Sequence, residues 1–136
     1  MSRRRKAREM ALQTLYAAEV GEADWENSLA DSIRRRKASD EASEYAGRLA
    51  GGVSGSRGQL DSMISSNLEN WKLERVAVVD RIIMEIALYE LLECPEVPTG
   101  VIIDEAIEIA HKFSSEKAGS FVNGILDRLS GEVRGG

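Results

Sequence analysis

Residues 75–92 read RVAVVDRIIMEIALYELL, and 13 of the 17 side chains from Val76 to Leu92 are apolar, interrupted only by Asp80, Arg81, Glu85 and Glu90. No alternation of β-branched and polar residues extends over any useful length here or elsewhere, so the run is predicted to be a helix over about 76–93. A helix that is apolar nearly all round has no face to offer water and belongs in the middle of a bundle. The fold is therefore all-α, and the neighbouring segments must supply the helices that surround this one.

Downstream, Ile103, Ala106, Ile107, Ala110 and Phe113 make one apolar stripe in a helix predicted over 100–113. Ala118, Val122, Ile125, Leu126 and Leu129 make another over 116–130. Both stripes are expected to pack against the central helix. Thr99 and either Ser114 or Ser115 are placed as their N-caps. The two prolines of the chain, Pro95 and Pro98, both lie in ECPEVPTG and break the chain between helices. Upstream, helices are predicted over 7–19, 25–36 and 40–68, with a short helical turn at Trp71–Arg75. The third contains Gly47, Gly51, Gly52, Gly55 and Gly58, each costing about 1 kcal/mol relative to alanine, and is where a bend or break is expected. The sum is a bundle of six to seven helices, and 136 residues at 43% hydrophobic suit one domain with a core of its own.

Charge is distributed unevenly. Arg3, Arg4, Arg5, Lys6 and Arg8 put five cations into six positions of a chain whose formal net charge is −5. They sit at or just before a helix N-terminus, where each opposes the macrodipole by roughly 0.3–1 kcal/mol. Stability does not call for them there, so an RNA or DNA phosphate partner is the better explanation. A second run, Arg34–Lys37, ends a predicted helix, where the dipole favours it, and is read as structural. These two runs hold nine of the 18 Lys and Arg, and the nine that remain face 23 carboxylates. Such a molecule binds a polyanion at a small, defined contact rather than over its whole surface.

Enzyme chemistry finds little to work with. His111 is the one histidine and Cys94 the one thiol, which excludes an intramolecular disulfide and a cysteine-based zinc site. His111 is read as a surface residue beside Lys112, and Asp104, Glu105 and Glu108 as a solvated helix face. No glycine-rich phosphate loop joins a strand to a helix. Neither catalysis, a metal nor a cofactor is expected. No apolar run approaches the roughly 18 residues of a membrane span and no signal-peptide pattern follows the basic run, so a soluble cytoplasmic protein is expected.

Two outer faces stand out as binding surfaces. On the first helix, Ala7, Ala11, Thr14 and Ala18 form the narrow core stripe, which leaves Leu12 and Tyr16 on another side near Arg5 and Glu9. Tyr16 reads either as a second core contact or as the amphipathic anchor of a partner-binding shoulder. On the last helix, Phe121 lies at the margin of the stripe with Lys117, Gly124 and Arg128 beside it. It reads either as a core-edge residue or as an aromatic platform for an unstacked RNA base, flanked by cations for the phosphates.

Three stretches together resemble the family of the bacterial transcription antitermination factor NusB: RRRKAREMALQTLYAAE at 3–19, RVAVVDRIIMEIALYELL at 75–92, and VPTGVIIDEAIEIAHKFSSEKAGSFVNGILDRL at 97–129. Residues 20–70 match in length and helical character alone. The resemblance implies two small helical subdomains, about 1–70 and 71–136, around a shared core, and an RNA-binding adaptor without enzymatic activity. Its implied partners are single-stranded boxA RNA in nascent ribosomal transcripts, the ribosomal protein NusE, and RNA polymerase with other Nus factors; some members also form homodimers. Carried over by position, the resemblance makes Arg3, Arg4, Arg5, Lys6 and Arg8 the RNA-contacting arm and Phe121, with Lys117 beside it, an RNA-facing aromatic. Tyr16 and Asp80 correspond to the NusE-binding face, to which Leu12 and Met84 are also assigned. Two alternatives are weighed. A purely protein-binding helical scaffold would use the basic arm for steering alone. An RNA cytosine methyltransferase would carry a similar helical domain, but residues 1–136 contain no βαβ unit for its cofactor, which excludes an intact enzyme.

Overall fold

The computed structural model describes residues 2–69 and 72–135, and six α-helices and one 3₁₀ turn account for most of them. The helices are α1 (Arg3–Val20), α2 (Trp25–Arg36), α3 (Asp40–Ser65), α4 (Val78–Glu93), α5 (Thr99–Phe113) and α6 (Glu116–Arg134), with the 3₁₀ turn at Leu73–Arg75 before α4. Trp71, with which the expected short turn began, lies outside the described residues. The chain forms two compact units, Met1–Gly55 and Ser56–Gly136. Their boundary falls inside α3 rather than near residue 70, at Ser56, whose φ of −131° and ψ of 19° interrupt the helix. The glycine-rich stretch thus does bend, one residue past Gly55.

In the first unit, Ser2 starts α1 by accepting a hydrogen bond from the Arg5 N–H at 2.9 Å, so the basic run is wound onto the first two turns. Gly21 ends it: a Cβ there would stand 2.9 Å from the Ala17 carbonyl that the Gly21 N–H caps. Asp24 caps α2, and Lys37 closes it in the left-handed region at φ 51°. Ala7, Met10, Ala11, Leu12 and Leu15 of α1 and Ala42, Ala46, Leu49, Ala50 and Val53 of α3 are buried. Gly51 lets the Trp25 indole onto α3, since a Cβ at that position would lie 3.2 Å from the ring.

In the second unit, α4 packs against both α5 and α6, and every residue from Ile82 to Leu88 is buried. All five residues expected on the α6 stripe are buried. On α5 the buried face is rotated from expectation: Ile102 and Ile109 join Ile103, Ala106 and Ala110, while Ile107 and Phe113 are half-buried at its edge. Packing between two neighbours widens the face beyond one stripe. Ser115 caps α6, its Oγ accepting from the Ala118 N–H at 3.1 Å. Thr99 is not a cap but the first residue of α5, behind Pro98, and its Oγ1 accepts from Arg134 instead.

Arg134, in the last turn of α6, holds the end of α4 and the 94–98 connection. Its guanidinium donates to the carbonyls of Glu90 (3.1 Å), Leu91 (3.0 Å), Cys94 (3.0 Å) and Val97 (2.7 Å). The last carbonyls of a helix run short of backbone donors, and one side chain serves several of them here, although Glu90 and Cys94 also accept from the Cys94 and Val97 N–H groups. On α4 itself, Glu85 is wholly buried. It accepts from Arg81 at 2.9 Å, lies 3.5 Å from Arg57 Nε and hydrogen-bonds the Asp61 side chain.

Candidate nucleic-acid interface

The basic run divides among several partners in the first unit. Arg3 pairs with Glu41 on α3, both side chains being largely exposed. The Arg4 guanidinium lies 4.9 Å from the centroid of the Tyr45 ring, also on α3, in cation–π range. Lys6 donates to the Arg36 carbonyl at the end of α2, at 3.3 Å. Arg5 is half-buried. Arg8 departs from the expected role: it is 3% exposed with its guanidinium 6.0 Å from Tyr45, so it is a packed residue and not an open phosphate contact. Glu9, 1% exposed beside it in sequence, is met by Arg36, 3.5 Å from its carboxylate and hydrogen-bonded to Gln13 at 2.9 Å. That gives the second basic run a structural use, and Arg34 and Arg35 pair with Asp31 on their own helix.

Tyr16 projects from α1 with 40% of its surface exposed, available to a partner. Leu12 does not share that shoulder. It is buried with the core because α1 is enclosed over a wider arc than its alanine stripe, an arc that takes in Arg8 and Glu9 as well. Met84 is likewise fully buried on α4 and has no surface to offer.

In the second unit, the structure brings together residues that the sequence had assigned to two different faces. Asp80, Lys117 and Phe121 line one cavity of about 320 Å3, with Arg75, Val76, Ala77 and Ala118. Its wall is apolar where Phe121, half-buried, meets Val76 and Ala118, and ionic where Arg75 and Lys117 are exposed. Asp80 sits in the first turn of α4, where a carboxylate suits the dipole, and its Oδ1 is buried without a hydrogen-bond partner. A cavity with a ring face and two cations suits a nucleobase and its phosphate.

Gly124 lies on the same helix with open space around the position of a Cβ, so packing does not demand it. Arg128, expected among the outer cations, reaches back to donate to the Asn67 carbonyl at 2.8 Å. His111 is exposed and lies over α6, where a Cβ on Gly119 would come within 2.1 Å of its Nε2. No group of three or more His, Cys, Asp or Glu among the described residues could hold a metal ion, and none of their helices is long and apolar enough to cross a membrane.

Sequence reasoning missed Tyr45 and Arg48. They line a second cavity, of about 480 Å3, with Arg3, Arg4, Glu41 and Glu44. The available signal was the i, i+4 pairing of Arg4 with Arg8, which aims two guanidiniums at one point on a neighbouring helix.

Comparison with known proteins gives one answer. The NusB family model matches residues 5–131. A transcription antitermination protein NusB of Elusimicrobium minutum is 41% identical over 100% of this chain and 99% of its own. The structure of T. maritima NusB superposes with a TM-score of 0.89 at 38% identity, covering 97% of this chain and 92% of that one. A crystal structure of the antitermination factors NusB and NusE in complex with double-stranded RNA matches at a TM-score of 0.88, over 97% and 98% of the two chains; at 24% identity it speaks for the fold alone.

Proposed function

Because the chain belongs to the NusB family, we propose that it is a transcription antitermination factor which, together with NusE, binds boxA in nascent ribosomal RNA. By this reading it acts in the cytoplasm, helping to assemble RNA polymerase and other Nus factors into an antitermination complex. It is an adaptor, with no bond made or broken. The observation that carries the reading is the second-unit cavity, where Phe121 offers a ring to a base beside Lys117 and Arg75. The exposed cations of α1, Arg3 and Arg4 with half-buried Arg5 and Lys6, attract the phosphate backbone. Tyr16, exposed on α1, and Asp80, in the first turn of α4, offer the NusE-binding groups, while Leu12 and Met84 are buried, each within its own unit.

The test is fluorescence anisotropy of labelled boxA RNA and a scrambled control, with the protein alone and with equimolar NusE. NusE is expected to tighten boxA selectively. With three to five phosphates neutralised, the log–log salt slope should be roughly −2 to −3.5. Phe121→Ala should weaken boxA binding by about 1–3 kcal/mol if a base stacks on the ring, and unchanged affinity would return Phe121 to the edge of the core. The scaffold reading draws on the intramolecular partners of Arg3, Arg4 and Lys6. It gains the lead if both RNAs bind equally weakly with and without NusE.

A further inference from the structure

The basic run is not the whole of the positive surface in the first unit, and the cavity around Tyr45 shows where the rest comes from. Arg3 and Arg4 from α1 and Arg48 from α3 line it together. Arg4 and Arg48 both stand over the Tyr45 ring, at 4.9 and 5.9 Å from its centroid, and buried Arg8 adds a third guanidinium at 6.0 Å. Several like charges around one ring repel one another. Glu41 and Glu44 in the same cavity offset part of that repulsion. The ring supplies a negative π-face that a protonated side chain prefers, and it holds the guanidiniums near it.

We propose that Arg3, Arg4 and Arg48 around Tyr45 form a phosphate subsite for single-stranded RNA, in which Arg48 is a direct contact and Tyr45 a positioning residue. This rests on the RNA-binding reading above and extends it from α1 onto α3. The cavity is of the size that holds a small ligand, enough for one sugar–phosphate unit. The Arg3–Glu41 pair at its mouth is solvent-exposed on both sides. Such a pair contributes little to stability, so an arriving phosphate can take the place of the Glu41 carboxylate on Arg3 at small cost. Guanidiniums already held against a ring lose less rotamer freedom on binding than arginines without such a contact do. A contact to the phosphate carries no sequence information, so binding here is expected to be independent of base identity.

The experiment titrates labelled boxA RNA with the full chain across a salt series. Arg48→Ala, at an exposed position, should lower affinity about 3- to 10-fold for boxA and scrambled RNA alike and flatten the log–log salt slope by about 0.7, the signature of one lost phosphate contact. Tyr45→Phe, which keeps the ring, should bind like the parent protein. Tyr45→Leu should fall toward Arg48→Ala while its circular dichroism and unfolding midpoint confirm the fold. Glu41→Gln should tighten binding more than the same change at Glu22, which lies outside the cavity. Parental affinity and slope in Arg48→Ala, in a protein that binds RNA, would overturn the subsite and leave the RNA reading standing. Absence of RNA binding by the parent protein, with or without NusE, would remove both.

Discussion

Arg134→Ala will lower the free energy of unfolding by about 2–4 kcal/mol, a drop of roughly 10 °C in Tm for a chain of this size. The substitution removes donors from four backbone carbonyls, those of Glu90, Leu91, Cys94 and Val97, and from Thr99 Oγ1. Hydrogen bonds from a charged donor are worth about 1.5–3 kcal/mol each. The total stays below their sum because Glu90 and Cys94 each keep a backbone bond, from the Cys94 and Val97 N–H groups, and water can reach part of the rest. Arg134→Lys should recover little, since one ammonium cannot span acceptors that a planar fork reaches together. Urea unfolding of the two variants checks this. A loss under about 0.5 kcal/mol in Arg134→Ala would mean that the 94–98 connection holds itself.

Glu85→Gln will stabilise the protein at pH 8 and flatten its stability between pH 5 and 8. Burial, first, and the hydrogen bond with Asp61 push the Glu85 carboxyl up to about 8, against the pull of Arg57 and Arg81. Glu85 Oε1 and Asp61 Oδ1 are both buried with no donor, and one proton between the two carboxylates answers the need. In the unfolded chain Glu85 releases its proton near pH 4.5, so between there and pH 8 the folded state binds more protons than the unfolded one. Stability from this group is therefore complete below about pH 4.5 and drains away as pH rises through 8, a loss of about 2–4 kcal/mol over the window. Glutamine imitates the protonated acid: it donates to Asp61, accepts from Arg81 and does not titrate. Unfolding titrations of parent and variant at pH 5, 6.5 and 8 should converge at the acid end and separate at the alkaline end. Parallel curves would show that the proton is held elsewhere.

Much of this molecule was legible because helical periodicity is a local signal. Val76–Leu92 announced a central helix by composition, and the α6 stripe emerged with each of its five residues buried. The glycines of α3 foretold its interruption without giving the residue, since the bend falls at Ser56 where nothing in the composition singles it out. Charged residues misled most. Arg8 and Glu9 look solvated on α1, yet each is met by another helix, Tyr45 from α3 and Arg36 from α2. Contacts between residues far apart in sequence leave no periodic trace. The same holds for Arg134, whose partners lie 35 to 44 positions away. At the candidate interface, residue types were readable, but the cavity that joins Asp80 to Lys117 and Phe121 comes from two helix starts meeting in space.

Arg134 also sets an order of events during synthesis. The carbonyl of Val97 leaves the peptidyl-transferase centre 37 residues before the guanidinium that binds it. At translation speeds of about 5–20 residues per second, the turn waits roughly 2–7 s for its latch. Through that interval α4, apolar on almost every side, has no lock, and α5 and α6, which cover it, are still being made. A nascent chain stalled before codon 134 would present a chaperone with a long hydrophobic helix whose far end is still undone, whereas one extended past it can close the second unit in a single step.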